Sequence, residues 1–223
     1  MARSKLEDKA HEFAVKLQEL LAQTVVDDHV RVLARINPAK RVVAVGTNLT
    51  KDFATSPVAL RTIDRRHQLY LDLQCQVYLE EGTGHLTMHH SYFAVSASPD
   101  APDPLFHYDY ERGKRDAEGG YTEAHLQVFG VNTELDPIIQ ALSTKRKKKQ
   151  IGELHFPVGG RRFRPALEDV LEFLIDEQLV NPKAGWQQVL DKSRDEFRMI
   201  QLKAMVRRYP EVAREALADN DQR

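Results

Sequence analysis

Between Phe106 and Phe156 the chain carries three short segments, FHYDY, AHLQV and ELHFP, that alternate apolar and polar residues, each with a histidine in its polar phase. Successive side chains of a strand face opposite sides of a sheet. Read as strands, these segments send Phe106, Tyr108 and Tyr110 one way and His107 and Asp109 the other. Leu126 and Val128 likewise oppose His125 and Gln127, and Leu154 and Phe156 oppose His155. One face thus gathers His107, Asp109, His125 and His155, the candidate catalytic set. An imidazole that titrates near neutrality can take a proton from a ribose hydroxyl while a second protonates the leaving oxygen. His107 and His125 suit those roles, with Asp109 orienting one ring. The same alternation is also what a one-sided antiparallel sheet turns towards water.

His107, Asp109 and His125 also form a two-histidine, one-carboxylate set of the kind that holds a metal. The chain has no HExxH helix and no paired cysteines, so spacing assigns no metal ligand and names no cofactor. Phosphate would need cations. Lys145, Arg146 and Lys147 open the run KRKKK, and Arg161, Arg162 and Arg164 follow two glycines in PVGGRRFRP. A guanidinium forks onto two phosphate oxygens, although a short charge run also serves as a solvated linker. Neither a Walker loop nor a dinucleotide fingerprint is present.

The elements that must position these residues follow from periodicity. Leu6, Ala10, Phe13, Ala14, Leu17, Leu20 and Leu21 make one apolar helical stripe, which Ser4 can cap. TVVDDHVRVLARI reads as helix or strand, and RVVAVGT as a short strand. Leu69, Leu71, Leu73, Cys75, Val77 and Leu79 alternate strictly, and EGTG then turns the chain into HLTMHHSYFAVSA, so this pair predicts a long hairpin. FHYDY and AHLQV predict a second hairpin across a long polar connection. Helical periods return in IIQALSTK, in PALEDVLEFLIDEQLV with Pro165 in the first turn, and in GWQQVLDKSRDEFRMIQLKAMVRRY. Ala166, Leu167, Val170, Leu171, Leu174 and Ile175 are the buried set of the second, and Trp186, Val189, Leu190, Phe197, Ile200 and Leu202 the anchors of the third. Hairpin-joined strands flanked by helices predict an α+β fold with an antiparallel sheet. The segments are residues 1–40, an N-terminal helical part; 41–160, the sheet; and 161–223, a C-terminal helical part, together one domain.

Through HYDY, HLQVFG and LHFPVGGRRFRPALEDVLEFLI, spanning about residues 105 to 205, the chain resembles an uncharacterised actinobacterial protein family. More loosely, its layout is similar to TumE-like toxins of toxin–antitoxin pairs, small α+β proteins with histidine-bearing strands. The chain is longer than those and lacks their proline–histidine–histidine run, so no residue roles are carried over.

Composition narrows the class. The chain has 223 residues, 42% hydrophobic and 29% charged, enough apolar material for a core without disulfides. With 32 basic and 33 acidic residues its net charge is -1, which argues against wholesale coating by nucleic acid but not against a local basic patch. Cys75 stands alone on an apolar phase and reads as a buried, inert thiol suited to a reducing, cytoplasmic setting. No stretch reaches the roughly 18 apolar residues of a membrane span. The reading is a nucleic-acid-acting protein, a toxin-like or defence-associated ribonuclease, partnered by RNA or DNA and by a protein such as an antitoxin. The alternative is a non-catalytic protein-interaction or assembly module.

Overall fold

The computed structural model describes residues 4–27, 29–39, 41–64, 66–118, 120–142, 150–160 and 164–220. Helix α1 (Lys5–Thr24) starts on a capping box. The Glu7 amide donates to the Ser4 hydroxyl at 3.3 Å and the Ser4 amide to the Glu7 carboxylate at 2.6 Å. Two of the helix's orphan N–H groups are thereby satisfied. The stripe from Ala10 to Thr24 is buried.

The ambiguous stretch resolves as strand β1 (Val32–Asn37), because β2 (Val42–Thr47) pairs antiparallel with its whole length. The sheet continues through β3 (Val58–Ala59), β4 (Tyr70–Leu79), β5 (Leu86–Ser96), β6 (Phe106–Glu111), β7 (Ala124–Val128) and β8 (Phe156–Pro157). Its order is β1-β2-β4-β5-β6-β7-β8, with β3 beside β4 and every pairing antiparallel. The remaining elements are helical: α2 (Leu135–Leu142), α3 (Leu167–Asp176), α4 (Trp186–Arg208) and α5 (Pro210–Asn220). This is the expected α+β architecture, an antiparallel sheet flanked by N- and C-terminal helices.

The strict alternation of β4 buries Leu71, Leu73, Cys75 and Val77 against one face. There they share a core with Leu17 and Leu21 of α1, Leu171 and Leu174 of α3, and Leu190 of α4. Residues from 1–40, 41–160 and 161–223 all enter this core, and β1, in the first of those segments, belongs to the sheet.

Three local expectations are corrected. ELHFP is not a full strand: only Phe156 and Pro157 pair, after a helical turn at Ile151–Glu153, so His155 belongs to no strand phase. Pro157 has no N–H to extend a ladder, which suits this edge position. Helix α3 starts with Ala166 as its N-cap, leaving Pro165 outside; Ala166 is half-buried, while Glu168 is buried and accepts from the Ser193 hydroxyl. Of the anchors expected along α4 only Leu190 is fully buried, and Ile200 and Leu202 are exposed. The second half of the helix stands off the sheet across a groove beside the β4–β5 hairpin, so it is not packed into the core.

Candidate functional site

Strand register brings the polar phase together. Asp109 lies opposite Tyr92 of β5 and His125 of β7, and His107 lies opposite Ala94 and Gln127. Directly paired residues share a face, so His90, Tyr92, His107, Asp109, His125 and Gln127 form one patch, turned away from α1, α3 and α4. This face is not wet surface. His125 is fully buried and His107 is 8% exposed. The long connection between β6 and β7 folds back so that the Tyr121 ring meets His125 edge-on at 4.9 Å between centroids. Tyr121 also stacks on His155 at 3.8 Å, and His155 lies 4.6 Å from His125. Phe129 and Tyr92 close in on His107, at 5.6 and 4.9 Å.

Inside this cover each group is held. The His107 Nε2 and Gln127 Oε1 are 3.0 Å apart, while the Gln127 amide donates to the Gly152 carbonyl at 2.8 Å. That assigns the proton of His107 to Nε2, because the glutamine oxygen can only accept. His90 Nε2 sits 2.9 Å from Asp109 Oδ1, and His125 Nε2 sits 3.7 Å from Asp109 Oδ2. Burial holds the His107 imidazole below its ordinary pKa, opposed by the Asp109 charge and the Gln127 bond. Burial also lowers that of His125, against the pull of Asp109 and with the push of His107. Burial alone would raise the Asp109 carboxyl, but its contact with His90, and the charges the three histidines carry in the acid range where a carboxyl titrates, hold it below the usual range. At neutral pH the site therefore presents an ionised carboxylate between two neutral imidazoles.

Among the described residues, Nδ1 of His107 and both ring nitrogens of His125 complete no well-formed hydrogen bond. One donor atom from each of His107, Asp109 and His125 lies within 4.8 Å of the others, which is within reach of a shared cation. The Asp109 and His90 side chains, 15% and 22% exposed, form the side through which a small species can enter. A ribose hydroxyl cannot touch His125 in this arrangement, so direct acid/base work by His107 and His125 on an RNA chain is not favoured.

A second feature lies on the helix side of the sheet. A groove of about 740 Å³ between the β4–β5 hairpin and the C-terminal half of α4 is lined by Arg112, Arg164, Lys203, Arg207 and Arg208, with Glu80 as the one carboxylate among the described residues that line it. Arg112 is anchored through a 2.9 Å bond from Nε to the Met88 carbonyl. The Arg164 guanidinium stacks 4.2 Å from the centre of the Tyr110 ring.

No protein-family model, curated protein or solved structure matches the chain. Function is a matter of these two sites.

The structure brings together His107, Asp109 and His125, and it adds His155 through ring stacking rather than through a strand phase. Arg164 does not serve them. Its partner Tyr110 alternates with Asp109 along β6 and so faces the helices. Lys145, Arg146, Lys147, Arg161 and Arg162 lie outside the described residues. Sequence reasoning puts His90 and Tyr92 in one phase of the second hairpin strand without joining them to the site, and it passes over Tyr121. The signal for His90 was the hairpin register, which gives it to the site and turns its neighbour His89 towards Tyr78. Tyr121 carried no signal, since only the path of its loop delivers it.

Proposed function

We propose that the chain acts on nucleic acid, which it binds in the groove beside α4. The observation that carries this reading is the gathering of five basic side chains around one groove of a protein whose net charge is -1. A stripe of fixed cations binds a polyphosphate backbone by releasing its counterions, and it does so with little regard to sequence. Stacking on Tyr110 holds the Arg164 guanidinium in a defined orientation. The toxin-like version of the reading adds cleavage at the His107–Asp109–His125 centre on the other face, where the partly exposed Asp109 and His90, and not the buried His125, would meet the RNA. Fluorescence anisotropy with labelled single-stranded RNA and duplex DNA tests the binding. Wild type should bind at low salt and Lys203→Glu/Arg207→Glu should lose most of that affinity; equal binding by both proteins, or none by either, ends the reading. Incubating the same RNA with wild type and Asp109→Asn tests the cleavage step separately.

One observation favours a second reading, a protein-interaction or assembly module. Met199, Leu202 and Val206 of α4 and its C-cap Tyr209 are exposed at three- and four-residue spacing, an uncovered apolar stripe. Light scattering on wild type and Leu202→Glu/Val206→Glu decides it: self-assembly lost in the variant supports the module, and a monomer in both removes assembly through this stripe.

A further inference from the structure

The buried face holds more unspent coordinating capacity than its hydrogen bonds account for. We propose that His107, Asp109 and His125 bind one divalent transition-metal ion. The inference goes beyond the nucleic-acid reading and does not depend on it.

Geometry is the first argument. If His125 and Asp109 formed a direct charge-assisted hydrogen bond, their atoms would close to about 2.7–2.9 Å. They face each other at 3.7 Å in a buried site instead. Two ligands about 2.0–2.2 Å from a shared tetrahedral ion lie roughly 3.3–3.6 Å apart. The observed gap is close to that of a bridged pair, and the whole donor set spans no more than 4.8 Å.

The second argument is the state of the donors. His107 commits its Nε2 proton to Gln127, so Nδ1 carries a lone pair, and that atom is buried without a partner. His125 is wholly buried, and neither ring nitrogen completes a well-formed hydrogen bond, although the Thr122 backbone and the Gln127 side chain lie beside the ring. Leaving such atoms buried and unpaired is costly, and a cation removes the cost at Nδ1 of His107 and at one nitrogen of His125. The third argument is what stands behind the donors. Gln127 holds His107 from its far nitrogen, and His90 holds Asp109 through its other oxygen. Partners of this kind orient metal ligands and raise their basicity. Two imidazoles with one carboxylate suit zinc-like ions better than magnesium or calcium, which prefer all-oxygen sets. A fourth coordination position would open towards the Asp109–His90 side, where the site meets solvent.

The test uses the full chain without a histidine tag, stripped by chelator and dialysed. Co²⁺ is titrated in while its visible absorption is followed, and Zn²⁺ is then added. One equivalent of Co²⁺ with intense tetrahedral-type bands, displaced by one equivalent of Zn²⁺, is the expected result. Asp109→Asn, which keeps shape, and His107→Gln should each weaken Zn²⁺ binding by more than about 100-fold, and Gln127→Leu by about 10- to 100-fold. His67→Ala, which removes an exposed histidine outside the donor set, should retain the full equivalent. Circular dichroism on each metal-free variant ensures that only folded chains are compared. The proposal is overturned if folded wild type takes up neither ion at micromolar concentration. It is equally overturned if Asp109→Asn binds as wild type does, which would leave surface histidines as the ligands.

Discussion

Gln127 bridges His107 to the turn that precedes β8: its oxygen meets His107 Nε2 at 3.0 Å and its amide reaches the Gly152 carbonyl at 2.8 Å. One side chain thus fixes both the tautomer and the tilt of a buried imidazole. Gln127→Leu keeps the volume but leaves the Nε2 proton of His107 without an acceptor. An unsatisfied buried donor costs about 1–3 kcal/mol. Urea unfolding should show that loss in the midpoint with an unchanged slope. A midpoint equal to wild type would mean that water reaches His107 and that the face is open to solvent.

Gly46 of β2 is packed too tightly for any side chain. A methyl there would meet the Leu73 carbonyl at 2.7 Å and Thr55 Cγ2 at 2.5 Å. Thr55 can rotate, but the carbonyl belongs to the central strand and cannot retreat without breaking the β2–β4 ladder. Gly46→Ala should destabilise by about 1–3 kcal/mol, the range of overpacked cores. Adding Thr55→Ser should recover little of it, and full recovery in the double variant would show that the methyl group of Thr55 alone mattered.

Asp72 gives the stability a pH dependence of unusual sign. Burial raises its carboxyl above the ordinary value, against smaller lowering by hydrogen bonds from Thr55 and the Leu73 amide. The folded chain therefore holds this proton more tightly than the unfolded one. The penalty is absent below the unfolded value of 3.8 and grows as pH rises through the folded value. Asp72→Asn should raise the melting temperature at pH 7, and the gain should shrink as pH falls towards 3.8. A gain that is constant with pH would assign it to packing and not to ionisation.

Cys75 should be silent. It is fully buried in β4, and burial pushes its thiol up to about 12. A thiol-specific reagent at pH 8 should modify the native chain only as fast as the sheet opens, and the unfolded chain at once. Rapid native labelling would contradict the closed core on which the placement of β4 and β5 depends.

Groove and histidine centre lie on opposite faces, so their variants should act independently. On single-stranded RNA, Lys203→Ala and Arg207→Ala each take one cation from the groove. Each should flatten the log–log salt dependence of binding by about 0.7. His107→Gln should leave that slope as it is. A change of slope in His107→Gln would mean that nucleic acid reaches the centre itself.

Local order was legible in the chain. The strict alternation of Leu71, Leu73, Cys75 and Val77 allowed only a strand with one buried face, and the stripe from Ala10 to Leu21 allowed only a packed helix. Period two along FHYDY and AHLQV was enough to put His107, Asp109 and His125 on one side, because alternation is a property of the strand itself. Tertiary structure decided the rest. The extended state of residues 32–37 depended on a partner strand, and the exposure of Ile200 and Leu202 on the second half of α4 standing off the β4–β5 hairpin. Burial of the histidine face came from Tyr121 and Phe129, on connecting segments whose paths no periodicity records. Arg164 went to the other face because its turn leads into α3 on the helix side, where the Tyr110 ring receives it. Pattern sets which way a side chain points from its own strand, but what lies over it depends on packing between residues far apart in sequence.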